Sequence, residues 1–227
     1  MASNIHKEKI VFYQENRFLI MLLTLFGFIL FHPLISYFIN IRFLVQVFIS
    51  FILLSGVFAI SYKKYQLIIA SLLALPIFIL MWASYLVDIG GFIHLQNLFG
   101  MLFMFYMIIL FLKHFFRQNK ITREVIFGAL AVYLLLGLMW TYGYTLLDHL
   151  VPDSFSHPGT IINLDFNSFN YFSFVTMTTL GYGDISPVSQ AAKAMAITQA
   201  ITGQVYLAVL VARLVGINIA QQMKEKD

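Results

Sequence analysis

The chain contains no cysteine, and only 11% of its 227 residues carry a charge. The lack of cysteine excludes disulfides and thiolate metal sites, and it leaves the redox compartment undefined. Soluble domains have about 25% charged residues, so the shortage of charge argues against a soluble protein. The apolar stretches also lack a paired nucleophile and base and any cluster of metal ligands, which disfavours an enzyme.

Apolar residues instead dominate, at 60% of the chain with a mean hydropathy of +0.85. This composition predicts an integral membrane protein. The formal net charge of +4 is informative by position, because Lys and Arg near the membrane ends of helices set their orientation. We therefore expect membrane lipid as a partner, and no nucleic acid.

Six stretches are apolar over a length close to the roughly 20 residues that a helix needs to cross a bilayer. They are residues 18–37, 43–60, 65–87, 94–116, 123–147 and 189–217. Thr122 is a candidate N-cap for the fifth stretch. Residues 1–17 precede the first apolar stretch, and no signal-peptide cleavage site follows that stretch. We therefore expect residues 1–17 to be a cytoplasmic segment that is either frayed or folded into a short interfacial helix.

Between the fifth and sixth stretches lies a segment too short to cross the membrane. Residues 151–163 combine prolines, glycine and polar residues, which indicates an exposed loop. Asp165 or Asn167 then caps a helix through Thr178, which would be at most about 20 Å long. Such a helix fits a re-entrant segment, whose irregular continuation must line water or be buried in protein.

The continuation, residues 176–184, reads T-M-T-T-L-G-Y-G-D. Gly181 and Gly183 flank Tyr182, so the backbone can alternate the sign of φ where side chains would resist. Carbonyl groups that alternate sides in an ordinary strand can then point the same way. A column of carbonyl oxygens with a threonine hydroxyl below it suits a dehydrated alkali cation.

This motif resembles the selectivity filter of the potassium channel superfamily. The matching residues are Thr176, Thr178, Thr179, Gly181, Tyr182, Gly183 and Asp184. The resemblance implies that K⁺ is the permeant ion, without an organic cofactor, and that K⁺ binds at Thr179, Leu180, Gly181 and Tyr182. Gly183 completes the ion-binding strand, and a chain with one filter would form a homotetramer around the pore.

Two residues near the filter depart from the common pattern. Tyr171 aligns with a tryptophan that restrains the aspartate after the filter in many relatives, and its hydroxyl is expected to bond Asp184. Thr178 and Asp184 would support the filter together with Tyr171. Leu180 replaces the commoner valine or isoleucine, and selectivity is expected to survive because this position contributes its carbonyl.

The last helix contains the candidate gate. Gly203 aligns with a hinge glycine of relatives, where it serves either a bend or close packing. A helical stripe with Gln204, Leu207, Val211 and Leu214 either lines the path as a hydrophobic constriction or packs against lipid or protein. Arg213 is expected to reach the cytoplasmic interface.

The resemblance implies an all-α channel of six transmembrane helices with a re-entrant pore helix. Residues 18–117 would form a four-helix domain similar to a voltage sensor, residues 118–217 the pore domain and residues 218–227 a cytoplasmic tail. The fourth helix has no Arg or Lys across residues 92–112, however. A sensor needs several charges in the field, at about 2.3 kcal/mol per charge and 100 mV, so we expect little voltage dependence.

Most basic residues fall on one side if six helices alternate, and only Arg42 and Lys193 fall on the other. This asymmetry predicts a multi-pass protein of the cell inner (plasma) membrane with both termini in the cytoplasm. A weakly selective monovalent cation channel is the alternative. An alternating-access transporter is disfavoured because the sequence shows no internal repeat.

Overall fold

The structure is a computed structural model that describes residues 2–35, 41–59, 63–87, 92–156 and 164–224. Within these ranges it contains seven α-helices and one pair of very short strands. The helices are α1 (Ala2–Ile35), α2 (Ile41–Ala59), α3 (Lys64–Val87), α4 (Ile93–Arg117), α5 (Arg123–Leu150), α6 (Phe166–Met177) and α7 (Gln190–Lys224). Strand β1 (Phe155–Ser156) pairs antiparallel with β2 (Ser186–Pro187), a contact that the all-α prediction did not include.

Four of these helices, α3, α4, α5 and α7, are long and apolar enough to cross a membrane. Helices α1 and α2 contain shorter apolar helical stretches among the described residues, Asn16–Phe31 and Phe43–Ala59. Four long helices therefore support the membrane character expected from the composition. The total of six membrane spans stays a prediction.

Two helices extend beyond their predicted ends. Helix α1 begins at Ala2, so residues 2–17 continue the first apolar helix, and the expectation of a frayed tail or a separate short helix is wrong. Helix α7 continues to Lys224, through most of the predicted tail at residues 218–227. Neither junction contains a proline, and the single Gly216 near the second one lies inside α7, so helical structure propagates past the end of each apolar run.

Helix α5 is the central element, since it packs against α1, α4, α6 and α7. The main hydrophobic cluster joins buried side chains of α1 to α5, including Phe18, Met21, Phe103 and Leu135, and it reaches Met177 at the end of α6. The apolar 18-residue window of α5 is 67% buried, whereas that of α7 is 17% buried. Helix α7 thus exposes most of its apolar surface on the single chain.

Arg213 of α7 joins this helix to the end of α4. Its Nη2 atom donates to the carbonyl oxygens of Phe116, at 2.6 Å, and Gln118, at 3.1 Å. The guanidinium also lies 5.6 Å and 5.0 Å from the ring centroids of Phe115 and Phe116. The carbonyl groups that end a helix have no partner within it, so this contact satisfies two of them and favours the negative end of the α4 dipole. Arg213 therefore binds protein where the sequence predicted only an approach to the interface.

We expect Arg213→Gln to weaken the attachment of α7 to α4, because hydrogen bonds from a charged group contribute about 1.5–3 kcal/mol. Thermal unfolding of the detergent-solubilised protein should show a lower midpoint. Arg123→Gln removes the same charge from an exposed position nearby and serves as the control. Equal midpoints for the two variants would contradict a structural role for the Arg213 contacts.

Candidate functional site

The site begins with α6, which Asp165 caps. The Asp165 carboxylate accepts hydrogen bonds from the Ser168 backbone N–H at 2.9 Å and the Ser168 hydroxyl at 2.8 Å. Asn167 lies inside the helix and donates to the same carboxylate at 2.9 Å. Of the two candidate caps, the structure therefore selects Asp165. Twelve residues at about 1.5 Å each give a helix too short to cross a membrane.

A buried chain of hydrogen bonds fixes α6 between α5 and α7. The Tyr144 hydroxyl donates to Gln199 Oε1 at 2.5 Å, and Gln199 Nε2 donates to Ser173 Oγ at 2.7 Å and to the Ser173 carbonyl at 3.0 Å. The Ser173 hydroxyl then donates to the Gly137 carbonyl at 2.7 Å. All three side chains are buried. Because unpaired polar groups are costly in an apolar interior, each partner requires the others.

An aromatic cluster packs against the N-terminal half of α6. The Phe155 ring makes edge contacts with Tyr144, Phe169 and Phe172 at centroid distances of 5.6, 5.0 and 5.4 Å. Strand β1 carries Phe155, and its pairing with β2 ties this cluster to the chain that follows the motif. The filter segment is therefore held at both of its ends.

At the inner end of α6 the chain turns tightly into the motif. The Thr179 N–H donates to the Thr176 carbonyl at 3.1 Å, and the Leu180 N–H donates to the Val175 carbonyl at 3.0 Å. The Thr178 hydroxyl donates to the Phe174 carbonyl at 2.7 Å. These bonds satisfy the last carbonyl groups of the helix and fix the direction in which the strand leaves it.

The backbone of the motif alternates between two conformations. Thr179, Gly181 and Gly183 have φ values of +61°, +58° and +76°, whereas φ is not positive at Leu180 and Tyr182. This is the alternation that the two glycines predicted. Thr179 extends it to a residue with a Cβ, where the left-handed conformation costs about 1–2 kcal/mol. The sequence motif gave no local reason for that strain.

The filter side chains have no cover on the single chain. Leu180 is 54% exposed and Tyr182 is 68% exposed. Exposed apolar side chains of this size, grouped on one segment, are typical of an interaction surface. Thr178, Thr179, Gly181 and Gly183 are exposed as well. Residues 178–183 are thus exposed without interruption on the single chain.

Tyr171 makes the expected hydrogen bond to Asp184. Its hydroxyl donates to Asp184 Oδ2 at 2.7 Å, and this bond to a carboxylate raises the pKa of Tyr171 to about 12. Asp184 Oδ1 accepts the Ile185 N–H at 3.0 Å. The bond from Tyr171 links the C-terminal end of the motif to α6, so the helix supports the strand at both of its ends.

Gly203 lies where α7 crosses the inner end of α6. A Cβ atom at this position would lie 2.6 Å from Met177 Cγ and 3.1 Å from the Met177 carbonyl oxygen. The next residue, Gln204, places its Nε2 atom 3.5 Å from the same oxygen. The absence of a side chain at Gly203 therefore permits this close approach.

The other gate candidates do not share one exposed face. Val211 is 59% exposed and Leu207 is half-buried, but Leu214 packs partly buried against the cluster of Phe115, Val125, Ala129 and Leu210. Leu214 therefore faces α4 and α5. Val215, one helical turn beyond Val211, is 52% exposed and occupies the free side instead. The stripe inferred from helical spacing alone therefore ends, at Leu214, on the face of α7 that packs against α4 and α5.

The sequence interpretation missed the buried network. It did not single out Gln199, Ser173 or Tyr144, although a polar residue in an apolar helix signals an interhelical hydrogen bond. Gln199 lies one turn before Gly203, on the face of α7 that packs against α6. The position of Gly203 could therefore have indicated that the Gln199 side chain points toward α6.

Comparison with known proteins is consistent with this geometry. Residues 121–219 match the family model described as Ion channel. A two-pore potassium channel of Arabidopsis thaliana is 42% identical over 86 residues, which are 38% of this chain and 27% of the plant protein. The chain thus spans about a quarter of the length of that relative. No solved structure matches the chain.

The family match covers α5, α6, the motif and most of α7, and the plant relative is a potassium channel by name. Both comparisons agree with the resemblance noted in the motif. Residues 121–219 of this chain are therefore similar to the ion channel family, and a stretch of 86 residues is similar to a potassium channel.

Proposed function

We propose that this protein is a potassium-selective channel that conducts K⁺ passively across a membrane. The backbone carbonyl groups of Thr179, Leu180, Gly181, Tyr182 and Gly183, together with the Thr179 hydroxyl, replace the water shell of the ion. Rings of such oxygens from four strands are the means by which potassium filters bind a dehydrated cation. The alternating φ along residues 179–183 is the observation that carries the proposal.

The proposed assembly is a homotetramer with the pore on its axis. One strand provides too few oxygens for a dehydrated ion, and the chain contains one such motif. The exposure of Leu180 and Tyr182 and the low burial of α7 support cover by further copies of the chain. A closed ring of identical subunits is the ordinary way to repeat one surface around an axis.

The end of α6 adds an electrostatic contribution to the proposed pore. A helix carries roughly half a negative charge at its C-terminus, and Met177 and Thr178 lie there. Four such ends aimed at a central cavity would stabilise a cation at mid-membrane. The hydrogen bonds that anchor α6 would then also fix the direction of this field.

The proposed inner gate combines Leu207 and Val211 with Val215 in place of Leu214. An apolar constriction of this kind closes by excluding water. The basic ends of the helices face the cytoplasm in this proposal, and the filter opens to the outside of the inner (plasma) membrane. The alternative function is a weakly selective monovalent cation channel, because Leu180 and Tyr171 depart from the common filter pattern.

Reconstitution into liposomes with a K⁺ gradient tests the proposal. The wild-type protein should pass K⁺ at a rate well above that of Na⁺, and Gly181→Asp should abolish the flux because a side chain is strained at this φ and blocks the strand. Val188→Asp adds the same carboxylate at an exposed position outside the filter and is the control. Equal K⁺ and Na⁺ flux would exclude selectivity.

We expect Tyr171→Phe to shorten the time for which K⁺ current persists, or to lower the K⁺ to Na⁺ flux ratio. The substitution keeps the ring and removes the donor to Asp184. Tyr171→Trp retains an N–H donor and should behave more like the wild type, whereas Tyr85→Phe removes a hydroxyl remote from the filter. Unchanged current and selectivity in Tyr171→Phe would contradict the supporting role.

Gly203→Ala separates close packing from a hinge. If packing dominates, the contact with Met177 should lower stability by about 1–3 kcal/mol, measured by thermal unfolding. Gly216→Ala is the control, since a Cβ there meets nothing within 4 Å on this chain. The Met177→Ala background should relieve part of the loss. Reduced flux with unchanged stability would instead indicate a hinge.

Conductance should depend weakly on voltage. The only Lys and Arg residues of α4, Lys113 and Arg117, lie in its last turns, at one end of the helix. Charges at the membrane boundary move through little of the field, so the energy available to open a gate is small. A steep conductance–voltage relation recorded from the reconstituted protein would contradict this expectation.

A further inference from the structure

A cavity of about 430 Å³ is lined by residues of α1, α2, α3 and α4 and includes the basic end of α4. Its volume lies within the range of about 300–1,000 Å³ that is typical of ligand pockets. Lys63, Lys113 and Arg117 contribute to its lining, together with His114. The site proposed for K⁺ uses none of these residues.

The polar part of the cavity is positively charged. Lys113 and Arg117 are four residues apart and therefore lie on one face of α4, and Lys63 immediately precedes α3. Of the side chains that the structure describes, those lining the cavity include neither aspartate nor glutamate. Glu124, at the start of α5, instead interacts electrostatically with Arg17, which lies outside the lining. Like charges on one face repel, so an anion in the cavity would relieve this repulsion.

The other part of the cavity is apolar. Phe18 of α1, Ala59 of α2 and the α4 residues Ile109, Leu110 and Phe111 line it. Tyr106 also lines the cavity, and its hydroxyl donates to the Gln66 carbonyl at 3.3 Å. A free phosphate would leave this apolar wall unused, whereas a molecule with both a charged and an apolar part would contact the whole lining.

We propose that this cavity binds an anionic phospholipid, with the headgroup phosphate at Lys63, Lys113 and Arg117 and an acyl chain along the apolar wall. Basic pockets between membrane helices bind lipid headgroups in this way. The inference goes beyond ion conduction, and its test requires no ion flux. A failure of lipid binding and a failure of conduction are therefore distinguishable.

The test measures lipid retention on the purified full-length protein by native mass spectrometry. The protein is titrated with dioleoyl phosphatidylglycerol or dioleoyl phosphatidylcholine, and glycerol 3-phosphate is the soluble anion. Phosphatidylglycerol should bind at least about tenfold more tightly than phosphatidylcholine, because each nearby Lys or Arg changes binding to anionic lipid roughly fivefold. Retention of both lipids to the same extent would overturn the proposal. Equal binding of glycerol 3-phosphate would replace the lipid by a soluble phosphate and also overturn it.

Two triple variants each remove three positive charges, one from the cavity and the other from positions outside it. Lys63→Gln, Lys113→Gln and Arg117→Gln alter the cavity, whereas Lys64→Gln, Lys120→Gln and Arg123→Gln alter exposed positions outside its lining. The cavity variant should bind phosphatidylglycerol about tenfold more weakly than the control variant. Equal losses would show only general attraction to the membrane surface and would overturn the proposal.

A third variant is the control for loss of binding caused by a disrupted fold. Lys63→Arg, Lys113→Arg and Arg117→Lys preserve all three positive charges, so this variant should retain phosphatidylglycerol within about threefold of the wild type. Thermal unfolding checks that each variant is folded. Loss of binding by the charge-preserving variant while it remains folded would contradict recognition by charge.

Discussion

The exposed strand that is proposed as the filter depends on a buried helix. Residues 179–183 have little packing of their own on this chain, and their direction follows from how α6 ends and where it is held. The hydrogen bonds from Tyr144 through Gln199 to Ser173 fix α6 to two neighbouring helices at once. Since every member is buried and paired, a shift of α6 would break several bonds together.

Support for the filter also comes from its outer side. Tyr171 joins α6 to Asp184, and the pairing of β1 with β2 joins the following chain to the end of α5. The strained φ of Thr179 lies between these anchors. Strain of this kind persists only where the surrounding contacts determine the backbone, so the anchors and the strain belong to one arrangement.

Local signals predicted the parts of the site that depend on neighbouring residues. Thr122 caps α5, accepting a hydrogen bond from the Val125 N–H at 3.3 Å, and Asp165 caps α6. The glycines of the motif indicated the alternation of φ. The hydrogen bond from Tyr171 to Asp184, 13 residues away, was instead expected from the resemblance to the potassium channel filter, and the structure contains it.

Tertiary packing decided what the sequence could not. Leu214 was placed with the gate by helical spacing, but the direction of α7 relative to α5 turns it toward Leu210 and Phe115. The buried role of Gln199 likewise depends on which face of α7 meets α6. Helix α1 begins earlier than its apolar run because helix formation needs no burial once a neighbouring turn exists.

The first four helices meet the proposed gate helix at a defined place. Arg213 binds the carbonyl groups of Phe116 and Gln118, which alternate along the chain with the cavity residue Arg117. An occupant that orders this end of α4 would also order the acceptors of Arg213, and linkage requires that the position of α7 affect the occupant in return. Because Arg117 lies between these two acceptors, an anion at the proposed lipid site would affect α7 through the basic end of α4.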